Sequence, residues 1–171
     1  MIRSWGRTRF SAIPVSDDET KLRNFKTYSL GTNLFVANVG DSRCYLFRGG
    51  ELTQMTHDHT LVQDMVRRGL VPTNQIDPLG RRLGHIVTNA IGGHTPGVRA
   101  EVHKATLKPG DVLLLATDGL TSYVPDERIA ATLQAESDPK LACERLVAQT
   151  LEQGGRDNVT VIVARYEAFA D

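Results

Sequence analysis

Residues 112–120, VLLLATDGL, join five consecutive apolar residues to an Asp-Gly pair. A continuous apolar run bounded by turn signals is typical of a strand that is buried on both faces, so we predict a central strand over Val112–Ala116. The turn signal that precedes it is Pro109-Gly110-Asp111. Gly119 lets the chain turn sharply after the strand, and the Asp118 carboxylate is therefore expected to face outward at the end of the sheet.

A second carboxylate precedes another apolar run, in the stretch GGRDNVT over residues 154–160. We predict the last strand over residues 159–163, which puts Asp157 at a sheet end as well. If the two strands are neighbours, Asp118 and Asp157 reach one site, and such a pair suits a hard divalent cation because these ions bind oxygen ligands. The alternatives are structural: Asp118 caps a turn, and Asp157 pairs with Arg156 or caps a loop.

The rest of the pattern predicts an α+β fold with mostly antiparallel sheets, since runs of strands have helices grouped between them. Strands are predicted over residues 34–39, 43–47, 51–55 and 98–107, with a hairpin turn at Gly49-Gly50. Residues 85–91 fit either a short strand or a helix. Helices are predicted over residues 60–68 and 126–134, and over a longer segment that starts at the N-cap Asp138 with Pro139 in its first turn.

The composition argues for one domain that contacts neither nucleic acid nor a membrane. The 171 residues fit a single domain, and 20 basic against 20 acidic residues give zero formal net charge without a basic stripe. No apolar stretch approaches the roughly 20 residues that span a bilayer, and residues 1–5 do not resemble a signal peptide. Cys44 and Cys143 lie in apolar surroundings, which favours buried free thiols over a disulfide or a metal site and indicates a cytoplasmic location.

Three motifs together resemble a known family. ATDGL at residues 116–120, GGRDNVT at residues 154–160 and VGDSR at residues 39–43 are similar to the C-terminal signature of the metal-dependent protein phosphatases, the PPM or protein phosphatase 2C type. The resemblance covers about residues 29–166. It implies an antiparallel β-sandwich flanked by helices. It also implies hydrolysis of phosphoserine and phosphothreonine proteins by a water that Mg²⁺ or Mn²⁺ ions activate.

The same resemblance assigns roles to particular residues. Asp118 and Asp157 match the family's metal-binding aspartates, and Asp41 matches a position that helps to hold an additional ion, although a turn aspartate is the alternative there. Asn158 is expected to orient Asp157 through its side-chain amide, and Gly119 to shape the turn that carries Asp118. Residues 71–91 correspond to a flap near the active site. There Arg81 and Arg82 either meet the phosphoprotein substrate or form a solvated pair of charges.

The histidines offer a second metal hypothesis. His57 and His59 have the His-x-His spacing of some metal sites, but the family often has an Asp-His pair ahead of this helix, where a structural role is expected. His85, His94 and His103 have no partner spacing. We therefore predict no metal ligand among the five histidines.

The family's N-terminal motif Asp-Gly-X-X-Gly-His has no match, because Asp118-Gly119 is the only Asp-Gly pair. The family's general acid, its phosphate-binding arginine and a bridging aspartate come from that half, so no catalytic residue is identified here and reduced metal binding is expected. We predict residues 1–28 to be a poorly ordered lead-in. Residues 29–168 are predicted to form the C-terminal part of a PPM domain, without its N-terminal strands and helices.

Two consequences are expected. The expected function is that of a serine/threonine protein phosphatase whose activity is weak or absent in this chain. One alternative is a non-catalytic pseudophosphatase or interaction module of the same descent. Another is a fragment of a longer gene.

The strands over residues 34–39 and 112–116 are expected to have lost neighbouring strands. Exposed sheet edges pair readily with other chains, so self-association is predicted.

Overall fold

The computed structural model describes residues 2–5, 25–72, 83–84, 86–91, 97–155 and 157–167. The strands within these residues form two four-stranded sheets. In chain order they are β1 (Ile2–Trp5), β2 (Phe25–Leu30), β3 (Asn33–Asn38), β4 (Arg43–Arg48), β5 (Glu51–Gln54), β6 (Glu101–Thr106), β7 (Val112–Ala116) and β8 (Val161–Arg165). The first sheet has the order β1-β2-β3-β6 and the second has the order β5-β4-β7-β8.

Neighbouring strands run antiparallel, except that β1 is parallel to β2. One apolar cluster joins the two sheets and contains Leu34 and Val36 of β3 with Leu113 and Leu115 of β7. The alternate residues of β7 belong to a second cluster between the second sheet and its helices. All five residues of β7 are buried, as the continuous apolar run predicts. The predicted α+β sandwich flanked by helices is confirmed.

The helices whose bounds lie within the described residues are α1 (Leu61–Arg67), α2 (Asp118–Thr121), α3 (Asp126–Ala135) and α4 (Pro139–Glu152). Asp138 caps α4, because its Oδ1 accepts a hydrogen bond from the backbone N–H of Lys140 at 2.7 Å. The Thr60 side chain caps α1 in the same way. The Asp138 cap confirms the prediction from the sequence. No helix among the described residues is long and apolar enough to cross a membrane.

The structure corrects several predicted boundaries. The last strand starts at Val161 rather than residue 159, and β6 starts at Glu101 rather than residue 98. Strand β2 starts at Phe25, so the predicted end of the lead-in at residue 28 is too late. The cause is a mixed polarity: the polar Thr27 and Ser29 point inward together with Phe25, while Tyr28 and Leu30 are exposed.

The prediction of open edges at β3 and β7 is wrong. Strand β3 lies between β2 and β6, and β7 lies between β4 and β8. The edge strands of the described sheets are β1 and β6 in the first and β5 and β8 in the second. The outer face of the first sheet is nevertheless partly apolar, because Tyr28, Leu30 and Val102 are exposed.

Both cysteines are free and buried, as predicted. Burial raises the pKa of Cys44 to about 12 and that of Cys143 to about 11, and only the thiolate is a good nucleophile. We therefore expect the native chain at about pH 8 to react with Ellman's reagent far more slowly than the urea-unfolded chain, whose thiols have pKa values near 8.5. Release of one equivalent from native protein at the rate of free cysteine would contradict this burial.

Candidate metal centre

Asp118 lies two residues beyond the C-terminal end of β7. Thr117 extends the pairing of β7 with β8 by one residue, since its backbone N–H donates to the Thr160 carbonyl at 3.1 Å. The backbone N–H of Thr160 in turn donates to the Thr117 hydroxyl at 3.0 Å. Asp118 then opens the short helix α2 and is half-buried. The segment that carries Asp118 is thus fixed against the segment that leads into β8.

Gly119 packs tightly against the segment that leads into β8. A Cβ atom built on Gly119 would lie 2.3 Å from the backbone oxygen of Asn158 and 3.2 Å from the Cα of Val159. No side chain fits there, so the glycine is required sterically, whereas the sequence had suggested only a need for a sharp turn. This contact places the backbone beside Asp118 directly against the backbone beside Asp157.

Asp157 is exposed and its carboxylate is oriented locally. Its Oδ1 accepts a hydrogen bond from the backbone N–H of Asn158 at 2.7 Å. The backbone N–H of Asn158 thus orients Asp157, and the role expected for its side-chain amide stays a prediction. The Asn158 carbonyl also accepts a hydrogen bond from the Thr117 hydroxyl at 3.4 Å, which ties this loop to the end of β7.

Asp41 reaches the same end of the second sheet from a third segment. Since β4 and β8 both run antiparallel to β7, the start of β4, the end of β7 and the start of β8 lie together. Asp41 lies two residues before β4, Asp118 two residues after β7, and Asp157 four residues before β8. The fold therefore gathers the three carboxylate-bearing segments at one sheet end.

The turn that holds Asp41 is braced by the segment before α1. The Gly40 N–H donates to His59 Nδ1 at 2.9 Å, and the His59 N–H donates to the Gly40 carbonyl at 3.0 Å. Arg43 donates from Nε and Nη2 to the Asp58 carboxylate at 3.0 and 2.8 Å. Burial alone would lower the pKa of Arg43, but its hydrogen bonds and attraction to Asp58 raise it above its ordinary value. The predicted structural role of the Asp58-His59 pair agrees with these contacts.

The predicted flap is only partly described. Arg81 and Arg82 lie outside the described residues, as do His85 and His94. Of the predicted element over residues 85–91, the described part forms a single bridge between Val87 and Thr60 rather than a strand or helix.

A second group of potential ligands was missed by the sequence analysis. His57, Glu101 and His103 present ligand atoms within 4.8 Å of one another. His103 thus has partners that spacing along the chain did not indicate. The available signal was the alternation of Glu101 and His103 along one face of β6, but His57 joins them only through the tertiary fold.

Comparison with known proteins relates the chain to bacterial phosphatases. The family model described as Stage II sporulation protein E (SpoIIE) matches residues 27–167. The serine/threonine protein phosphatase PstP of Mycobacterium tuberculosis is 39% identical over 134 residues, which are 78% of this chain and 25% of PstP. A putative protein phosphatase 2C-type of Streptococcus pyogenes is 30% identical over 189 residues, covering 97% of this chain and 76% of that protein.

The solved structures agree with the sequence matches. The crystal structure of Mycobacterium tuberculosis PstP/Ppp has a TM-score of 0.76 at 35% identity, over 84% of this chain and 59% of that chain. The catalytic domain of PstP in complex with 2 manganese ions has a TM-score of 0.71 at 35% identity, covering 84% of this chain and 58% of that one. The chain thus spans a quarter of PstP and less than two thirds of the crystallised phosphatase chains.

Proposed function

Because the chain belongs to the SpoIIE-type group of the PPM, or protein phosphatase 2C, family, we propose that it forms the metal-binding part of a serine/threonine protein phosphatase domain. The proposed ligands are Asp118 and Asp157, with Asp41 helping to hold an additional ion. Their convergence at one end of the second sheet is the observation that carries the proposal. The substrates proposed are phosphoserine and phosphothreonine proteins.

The donor set fits Mg²⁺ or Mn²⁺, since carboxylate oxygens are the ligands these hard cations prefer. When bound, such ions supply a nucleophilic water and polarise the phosphoryl oxygens. Other residues of this chain hold the three aspartate-bearing segments in place. Thr117 and Gly119 hold the Asp118 segment against the Asp157 loop, and the contact of His59 with Gly40 fixes the turn that carries Asp41. A related catalytic domain, that of PstP, has been crystallised with 2 manganese ions.

We expect either Asp118→Asn or Asp157→Asn to weaken Mn²⁺ binding by the 171-residue chain at least tenfold. Loss of a ligating carboxylate should cost no less than loss of a supporting partner, which typically costs about 10–100-fold. Isothermal titration calorimetry measures the effect. Asp138→Asn is the matched control, because it makes the same change at the N-cap of α4, where asparagine caps as well as aspartate. If both site variants bind Mn²⁺ as the control does, the ligands are assigned wrongly.

The second candidate function is a non-catalytic pseudophosphatase or interaction module. It is favoured by the lack of any match to Asp-Gly-X-X-Gly-His in the 171 residues. Self-association fits the same alternative, and the exposed Tyr28, Leu30 and Val102 on the outer face of the first sheet offer a surface for it. For either function we propose a cytoplasmic location without nucleic-acid or membrane partners, which the two buried free thiols and the zero formal net charge support.

We expect the 171-residue chain to hydrolyse p-nitrophenyl phosphate with Mn²⁺ at far less than the usual enzyme turnover of about 1–10³ per second. A positioned general acid alone contributes about 10²–10⁴ in rate, and no residue of the chain is assigned that role. Initial-rate assays with the parent chain and Asp118→Asn test the expectation. A turnover in the usual range that disappears in Asp118→Asn would show that the chain holds a complete active site.

A further inference from the structure

A cluster of nitrogen and oxygen donors lies at the edge of the sandwich and uses none of the three aspartates above. Glu101 and His103 alternate on the edge strand β6 and share the face opposite to the exposed Val102. They pair in register with Asn38 and Val36 of β3, whose side chains are buried. His57 comes from the segment between β5 and α1, so the cluster joins two parts of the chain that are distant in sequence.

The distances suit a compact coordination sphere. His57 Nδ1 lies 3.2 Å from Glu101 Oε2, and His103 Nε2 lies 3.5 Å from the same oxygen. The two imidazole rings are tilted by 48° with their centroids 5.5 Å apart. In tetrahedral zinc sites the metal–ligand bonds of about 2.0–2.1 Å place donor atoms roughly 3.3 Å from one another. Both measured separations lie close to that value before any ion binds.

The two oxygens of Glu101 have different surroundings. Oε1 faces Arg67 and, at 3.7 Å, Nε2 of His59. Because His59 Nδ1 accepts the Gly40 N–H, neutral His59 carries its proton on Nε2. Burial alone would raise the pKa of Glu101, but Arg67 and the neighbouring histidines lower it below its ordinary value. Glu101 is thus an oriented carboxylate whose other oxygen, Oε2, faces the two imidazoles, and outer partners commonly orient ligating carboxylates in this way.

His103 gives an independent sign that the cluster is incomplete. Its Nε2 is buried and makes no hydrogen bond to the described residues, although Glu101 Oε2 lies 3.5 Å away. Burying such an atom without a partner costs free energy. The His57 side chain, by contrast, is 62% exposed and leaves a path by which an ion could enter.

We propose that His57, Glu101 and His103 bind a borderline transition-metal ion, with Zn²⁺ as the best match. Two imidazoles and one carboxylate are an established zinc ligand set, in which the fourth position is left to water. Imidazole donors also distinguish this cluster from the all-oxygen site proposed for Mg²⁺ or Mn²⁺, because they suit Zn²⁺, Cu²⁺ and Ni²⁺. The ion would tie the edge strand β6 to the segment whose His59 braces the Asp41 turn.

The test is a titration of the 171-residue chain with Zn²⁺, and with Co²⁺ as a spectroscopic substitute, at about pH 7.5, where free imidazoles are largely neutral. We expect one Zn²⁺ per chain, a tetrahedral Co²⁺ absorption band and a raised thermal midpoint, because a ligand that binds only the native state stabilises it. His57→Gln and His103→Gln should each weaken binding at least tenfold and remove the band. His57 is the safer position because its ring is exposed.

A matched control separates this site from the carboxylate centre. The double variant Asp118→Asn/Asp157→Asn should keep both the zinc stoichiometry and the Co²⁺ band, even if its Mn²⁺ binding is lost. Retention of zinc binding in His57→Gln and His103→Gln would overturn the proposal. So would failure of the parent chain to bind Zn²⁺, or transfer of the Co²⁺ band to the aspartates, revealed by its loss in the double variant.

Discussion

Replacing Gly119 with alanine is expected to destabilise the chain by about 2–3 kcal/mol, the upper range for overpacking. The added Cβ would lie 2.3 Å from the Asn158 carbonyl oxygen, and that atom belongs to backbone, so it cannot rotate away. The loop that carries Asp157 has to move instead. For a chain of this size such a loss corresponds to a thermal midpoint lowered by roughly 4–12 °C. Calorimetric unfolding measures it.

The same substitution should also weaken Mn²⁺ binding, because it separates the Asp118 and Asp157 segments without removing a ligand. Gly31→Ala is the control: Gly31 has a positive φ of 57° and nothing within 4 Å of a built Cβ. Gly31→Ala should lower the free energy of unfolding only through the strained backbone, by about 1–2 kcal/mol. This variant should bind Mn²⁺ with the affinity of the parent chain. An unchanged midpoint and an unchanged Mn²⁺ titration in Gly119→Ala would contradict the close approach.

The sequence predicted the central strand well because β7 is buried on both faces, which is the burial that a short continuous apolar run between turn signals indicates. It failed at β2 because hydrophobicity and burial do not coincide there after Phe25 and Lys26. The small polar Thr27 and Ser29 face the interior, while Tyr28 and Leu30 are exposed. A pattern analysis that equates apolar with buried cannot recognise such a strand. Knowledge of its partner β3 is needed to place it.

The two groups of ligands differ in how far the sequence could reveal them. Asp118 and Asp157 lie beside strands that the sequence predicts, and only the adjacency of β7 and β8 had to be supposed. His57 and Glu101 are 44 residues apart and meet because an edge strand passes the end of α1. Local spacing carries no information about such a contact. The family resemblance also does not indicate it, since it directs attention to the aspartates.

The other large loss of stability is expected at an ion pair that joins the two sheets and whose carboxylate is buried. Asp111, in the turn before β7, has a side chain only 1% exposed. Arg48 donates to it from Nε at 2.7 Å and from Nη2 at 2.6 Å, and Nη2 also donates to the Thr106 carbonyl of β6 at 2.7 Å. Asp111 accepts a further hydrogen bond from the Lys108 N–H at 2.7 Å. Arg48 therefore holds the turn against both sheets.

Arg48→Met should lower the free energy of unfolding by about 3 kcal/mol, because removing one partner leaves the other as an uncompensated buried charge. We take the lower end of the usual range because the Arg48 side chain is 37% exposed. Arg128→Met is the control for the same change at an exposed helix position, and surface changes of that kind usually stay within about 0.5 kcal/mol. Urea unfolding of both variants measures the difference.

A second substitution distinguishes the loss of charge compensation from a simple loss of packing. Adding Asp111→Asn to Arg48→Met removes the buried charge while it keeps the shape of the side chain and an oxygen that accepts the Lys108 N–H. If the uncompensated carboxylate is the cause, the double variant is more stable than Arg48→Met alone, although Asp111→Asn by itself destabilises the parent chain. If the two substitutions instead add, the contribution of Arg48 comes from its packing and its bond to Thr106, and the ion pair is not what fixes the turn.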